Sequence, residues 1–173
     1  MVHNMFVRAN IEKAKMALTT HQPQEAAQDL REAMRYPENL GTGEPAQPEQ
    51  SEQLYWLGVA LAAQGKTKEA TVAWQSAIAQ PGGKDDVFSA LAYLKLGNND
   101  LAQQMLQRRI QAAKQPEADA QNYYVAGMAE RYSGNKEHAQ VDFQRALTLD
   151  RGVWPAQVAI AEMNHPREIS DIL

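Results

Sequence analysis

The chain contains no cysteine among its 173 residues, which excludes disulfides, thiolate zinc sites and cysteine nucleophiles. Nor does any long apolar run appear, so no segment reads as a membrane-spanning helix. Strong β-branched runs and alternating apolar positions are missing, which argues against strands. There is no excess of basic charge: the net charge is −4 and the pI near 5.6, a balance unlike that of a nucleic-acid binder. The opening segment Met1–Asn10 shows neither an apolar signal core nor a small-residue cleavage site, and a cytoplasmic location is expected.

Catalytic arrangements are equally scarce. His3, His21, His138 and His165 are far apart, and no two of them stand at the spacing that pairs ligands on a helix. Ser51, Ser76, Ser89, Ser133 and Ser170 lack the flanking glycines of a nucleophile elbow. Gly82-Gly83 follows Pro81 and reads as a turn, with no phosphate-binding lysine and serine after it. Asp85-Asp86 suits the start of a helix, where negative charge complements the dipole. The expectation is a protein with no enzyme activity, no metal and no cofactor.

What the chain does have is a pattern that recurs four times. Residues 51–80 carry Leu54, Leu57-Gly58, Leu61, Gly65, Ala70, Trp74 and Ala77, and 120–149 carry Tyr123, Ala126-Gly127, Gly134, Ala139, Phe143 and Ala146. Weaker copies hold Tyr93, Gly97, Ala102 and Leu106, and Ala14, Ala17, Ala26, Leu30 and Ala33. The alanines that open the second helix of each copy, Ala26, Ala70, Ala102 and Ala139, step by 44, 32 and 37 residues. Small residues at fixed offsets between large apolar ones mark helical hairpins whose members approach closely, and such a period marks a solenoid. Leu54, Leu57, Gly58 and Leu61 share one helical face. Gly58 costs about 1 kcal/mol of helix propensity, a cost that makes sense where a partner helix packs against its backbone. Gly65 and Gly134 fall between paired helices, where a positive φ ends the first.

These residues resemble the tetratricopeptide repeat (TPR) family, whose period is about 34 residues. The resemblance implies an all-α, right-handed TPR-type helical solenoid of about four helix-turn-helix repeats with a C-terminal capping helix. Its repeats would fall at about 4–36, 51–82, 83–116 and 117–152, within a single domain over 1–164. The spacing predicts helices over 4–19, 23–35, 51–64, 67–80, 85–97, 99–114, 117–133 and 136–149. A capping helix over 153–163 follows, stopped by His165-Pro166, and 165–173 would fray. Pro23 suits the first turn of its helix, and Asn98, Asn99 and Asp100 offer an N-cap. The connector 37–50, with Pro37, Pro45, Pro48, Gly41 and Gly43, cannot be helical throughout. Tyr36 to Gly43, YPENLGTG, also resembles the carboxyl-terminal TPR region of large bacterial proteins whose amino-terminal domain is uncharacterised and associated with carbohydrate metabolism. That resemblance implies the alternative of a helical accessory or self-association domain of a larger bacterial protein.

In TPR proteins the first helix of each repeat lines a concave groove. Carried onto this sequence, the groove positions are Glu52, Tyr55, Val59, Ala62 and Ala63 in the second repeat, and Lys84, Val87, Leu91, Leu94 and Lys95 in the third. The fourth repeat contributes Gln121, Tyr124, Met128, Arg131 and Tyr132, and the first Arg8, Ile11, Lys15, Leu18 and Thr19. Five cations against the single acid Glu52 suit a scaffold that binds a protein or an extended peptide with a carboxylate or acidic side chains. Lys95 and Arg131, one repeat apart, would project to the same side. The other reading open at this point is that Tyr55 and Tyr124 pack and the lysines are solvated. The carboxylate-clamp subclass expects lysine and asparagine in the groove, and no asparagine stands there. Self-association is the further expectation, hinted by Asn10 and Lys13 in the weak first repeat. Nucleic acid and membrane are not expected partners.

Overall fold

The computed structural model describes residues 2–36, 48–83 and 86–165. Among them the chain forms nine α-helices: α1 Val2–Thr19, α2 Pro23–Ala33, α3 Ser51–Ala63, α4 Thr67–Ile78, α5 Val87–Lys95, α6 Asn99–Ala112, α7 Ala120–Tyr132, α8 Lys136–Leu149 and α9 Trp154–Met163. No strand occurs among the described residues. The connector residues 37–47, Lys84, Asp85 and the tail from residue 166 lie outside the described part, and with them most of the YPENLGTG stretch.

Each inner turn repeats one backbone solution. A left-handed residue stands five positions before the motif alanine: His21 (φ 59°), Gly65 (76°), Gly97 (85°) and Gly134 (87°). The residue after it, Gln22, Lys66, Asn98 or Asn135, has ψ between 61° and 66°. That geometry turns the side chain away from the helix amides. Asn98 therefore occupies the N-cap position of α6 without making the capping hydrogen bond, contrary to the sequence expectation. Helices that open a hairpin begin differently. Asp86 is extended, and its carboxylate accepts from the Ser89 amide at 2.9 Å. Asp119 forms a reciprocal capping box with Asn122. These caps move the starts of α5 and α7 inward from residues 85 and 117, because a side chain that satisfies the first free amides fixes where the helix begins.

The described chain divides into two compact units, one running to Leu96 and the other starting at Gly97. In the first, Ile11, Ala14, Ala26, Leu30, Trp56, Ala60, Ala70 and Ala77 are all at most 1% exposed. Its helices are tied by Lys13 to Asp29 and Arg8 to Glu52, both at 2.9 Å. The Gln64 amide donates to the Pro23 carbonyl at 2.9 Å, and the Ser89 hydroxyl donates to the Ala77 carbonyl at 3.1 Å. In the second unit Ala102, Ala126, Ala129, Ala139, Phe143, Ala146 and Ala156 are fully buried.

The small-residue positions have a sharper role than the sequence suggests. A Cβ placed on Gly58 would collide with the Trp74 indole nitrogen and lie 2.7 Å from its Cε2. It is thus an indole ring, and not the backbone of α4, that occupies the space above Gly58. Gly127 stands in the same relation to Phe143, whose Cδ1 and Cε1 would lie 2.7 Å from an added Cβ, with the Ala139 carbonyl at 3.2 Å. No helix among the described residues is long and apolar enough to cross a membrane.

Candidate functional site

In the first unit α1, α2, α3, α4 and α5 surround a hollow of about 400 Å³. Its floor is apolar: Leu18, Pro23, Val59, Ala62, Ala63 and Trp74, with His21 and Lys95 at its polar edge. Four residues of the sequence-derived groove on α1 and α3, Leu18, Val59, Ala62 and Ala63, meet here with Lys95 from α5. Short side chains leave the space open. Trp74 is held in place by its indole N–H, which donates to the Tyr55 carbonyl at 3.2 Å.

Lys95 is the electrostatic feature of this hollow. The Lys95 residue is exposed overall, but partial desolvation at the rim of the hollow lowers its ammonium pKa below the usual lysine value, because partial loss of water penalises the charged form. No carboxylate lies within ion-pair distance of it among the described residues. Arg8 and Lys15, also expected on this face, are already paired. Arg8 pairs with Glu52 at 2.9 Å and with Glu12 at 3.6 Å. Lys15, only 6% exposed, pairs with Glu12 at 3.2 Å. Lys84 lies outside the described residues.

Several of the other expected groove residues are in the core. Tyr55 is 1% exposed and stacks edge-on against Trp56, with ring centroids 5.1 Å apart, and lies 5.9 Å from Phe88. Its phenol is pushed well above the usual tyrosine range by burial. Val87 and Leu91 of α5 are buried as well. The packing alternative for Tyr55 is the one its burial matches.

In the second unit Met128 and Arg131 are buried, and Tyr124 and Tyr132 are half-buried. The Tyr124 ring lies 6.0 Å from that of Phe143. Arg131 is 2% exposed, and its Nη1 donates to Glu162 of α9 at 2.7 Å. The guanidinium also sits 5.7 Å from the centre of the Tyr132 ring. Arg131 thus serves to anchor α9. Lys95 and Arg131 belong to different units. The partner Glu162 was not legible as such, since 31 residues separate it from Arg131.

Elsewhere in this unit the Asp142 carboxyl is raised above the usual carboxylate range by burial and by Glu130. His138 approaches Glu130 at 3.9 Å. No group of three or more potential metal ligands gathers among the described residues.

Residues 120–152 match the family model described as tetratricopeptide repeat. No curated protein matches the chain. Among solved structures, MamA 41-end from Desulfovibrio magneticus RS-1 is 24% identical, with a TM-score of 0.37, over 92% of this chain and 84% of that one. A MamA RS-1 double mutant is 23% identical with the same TM-score, over 92% of this chain and 83% of that one. Residues 120–152 thus carry a tetratricopeptide repeat, in a chain whose described residues form an all-α fold of TPR-type helix pairs.

Proposed function

We propose that the chain is a non-catalytic protein-interaction scaffold and that the hollow of its first unit receives an extended peptide carrying a carboxylate. The observation that carries this reading is Lys95: a partly desolvated cation without a carboxylate partner among the described residues, at the rim of an apolar recess. Such a cation gains most from an arriving anion, because a charge-assisted hydrogen bond replaces water it has already partly lost. The recess beside it suits an apolar side chain adjacent to that carboxylate in the peptide. Val59, Ala62 and Ala63 would supply the apolar contact, and Lys95 the orientation. Arg8, Lys15 and Arg131 take no direct part, since internal carboxylates already occupy them.

The test is selection from a random peptide library on immobilised wild-type protein and on Lys95→Glu. Enrichment of peptides pairing an acidic group with an apolar residue, on wild type alone, is the expected result. Identical peptide sets from both proteins would place the partner elsewhere and refute the reading.

A further inference from the structure

A second hollow, of about 430 Å³, lies on the first unit against α2 and the turn between α3 and α4. Its chemistry is opposite to that of the Lys95 recess. Gln24, Gln28 and Arg31 stand on α2 at offsets of four and three residues, the spacing that aligns side chains on a helix face, and Arg35, two residues past the end of α2, lines the same hollow. Lys66 faces them from the turn. The turn is fixed: the Lys66 amide donates to the Leu61 carbonyl at 3.0 Å, and the Gln64 side chain donates to the Pro23 carbonyl at the start of α2.

Three cations meet one acid here, in a chain whose net charge is −4. The acid, Glu32, accepts from one Arg35 nitrogen at 3.0 Å. No carboxylate among the described residues pairs with Arg31 or Lys66. With Glu32 taken up by Arg35, the excess of two positive charges is the Arg31 guanidinium and the Lys66 ammonium, which together match a phosphate dianion better than a single carboxylate.

We infer that this hollow is a docking site for a phosphorylated side chain of a partner protein. The walls are exposed and open, so they cannot enclose a small free ligand in the way that small-molecule sites do. A phosphoryl group presented on another chain needs no such enclosure. The inference rests on the scaffold reading, but the lining of this hollow shares no residue with the Lys95 recess.

The test uses a fluorescein-labelled peptide library with one fixed phosphoserine between randomised residues. Unphosphorylated serine and glutamate versions serve as controls, and anisotropy is followed at low and physiological salt. Binding of the phosphoserine library at least ten-fold tighter than either control is expected. The double variant Arg31→Gln, Lys66→Gln should lose at least ten-fold, whereas Lys95→Gln should bind the phosphoserine library as wild type does. Circular dichroism checks that each variant retains its helices. Equal binding of all three libraries overturns the phosphate assignment. Unchanged affinity in the double variant overturns the site. Loss in Lys95→Gln alone would mean that phosphopeptides enter the other recess, which also overturns it.

Discussion

Gly58 and Trp74 are built as a pair: the indole lies so close over the glycine that a single added carbon would meet Cδ1 at 2.5 Å. Trp74 cannot swing aside without losing its hydrogen bond to the Tyr55 carbonyl, and it is only 8% exposed. Gly58→Ala is therefore expected to destabilise the first unit. Overpacking costs about 1–3 kcal/mol, against at most about 1 kcal/mol gained in helix propensity. A lowered urea midpoint is the expected observation. Restoration of the midpoint by combining it with Trp74→Leu would show that the collision is the cause. An unchanged midpoint in Gly58→Ala would mean that α3 and α4 are not in this register.

The same turn in four places gives a second prediction. His21 adopts the left-handed backbone that Gly65, Gly97 and Gly134 adopt in the other hairpins. That conformation costs a side-chain-bearing residue about 1–2 kcal/mol, whereas glycine loses about 0.5–1 kcal/mol through its freer unfolded chain. His21→Gly should gain about 0.5 kcal/mol, read as a higher denaturation midpoint. A fall instead would show that the imidazole makes contacts worth more than the strain.

His21 also explains what the sequence could and could not reveal. In the three later hairpins a glycine five residues before the motif alanine announces the turn, and there the helices fall close to their expected spans. The first hairpin has no such glycine, so its register is faint, although its backbone follows the same path. Pro23 at the start of α2 and Pro155 at the start of α9 also stand where their missing amides do no harm. The groove was harder to read because helical spacing reports a face and not what lies against it. Arg8 meets Glu52 across 44 residues, and Arg131 meets Glu162 across 31. Such long-range pairs leave no local mark. Tyr55 illustrates the same limit: its position fits a groove, while Trp56 and Phe88 enclose it.

The Arg131–Glu162 pair should hold α9 in place. Glu162→Ala leaves a guanidinium 2% exposed and short of one acceptor. Because Glu162 itself keeps some solvent contact, the cost should be about 2 kcal/mol, below that of severing a fully buried pair. Thermal unfolding and protease sensitivity within α9 check this. The double variant Arg131→Met, Glu162→Met should recover part of the loss, since apolar replacement removes the unmet charge. Stability equal to wild type in Glu162→Ala would mean that α9 is held by apolar packing alone.

Lys95 gives a pH dependence whose sign is fixed by the partial desolvation of its ammonium. Its folded pKa lies below the ordinary 10.5 that it regains on unfolding. Between the two values the unfolded chain binds more protons, so folding stability contributed by this group rises with pH in that alkaline window. Lys95→Gln should remove that rise and leave stability at neutral pH unchanged or slightly higher. A clear loss of stability at neutral pH would reveal a structural partner for the ammonium.

The most direct measurement is calorimetric titration of one library-selected carboxylate peptide into wild type, Lys95→Gln and Ala63→Trp. Lys95→Gln removes the cation, and Ala63→Trp fills the recess from an exposed position of α3. Binding to wild type should weaken with salt, since screening acts over about 8 Å at physiological ionic strength. It should also weaken as pH rises through the lowered lysine pKa, because the neutral amine no longer attracts the carboxylate. Each variant should lose most of the affinity while keeping its helical signal, with Lys95→Gln also losing the salt dependence. Wild-type affinity in both variants would contradict the assignment of this recess as the peptide site.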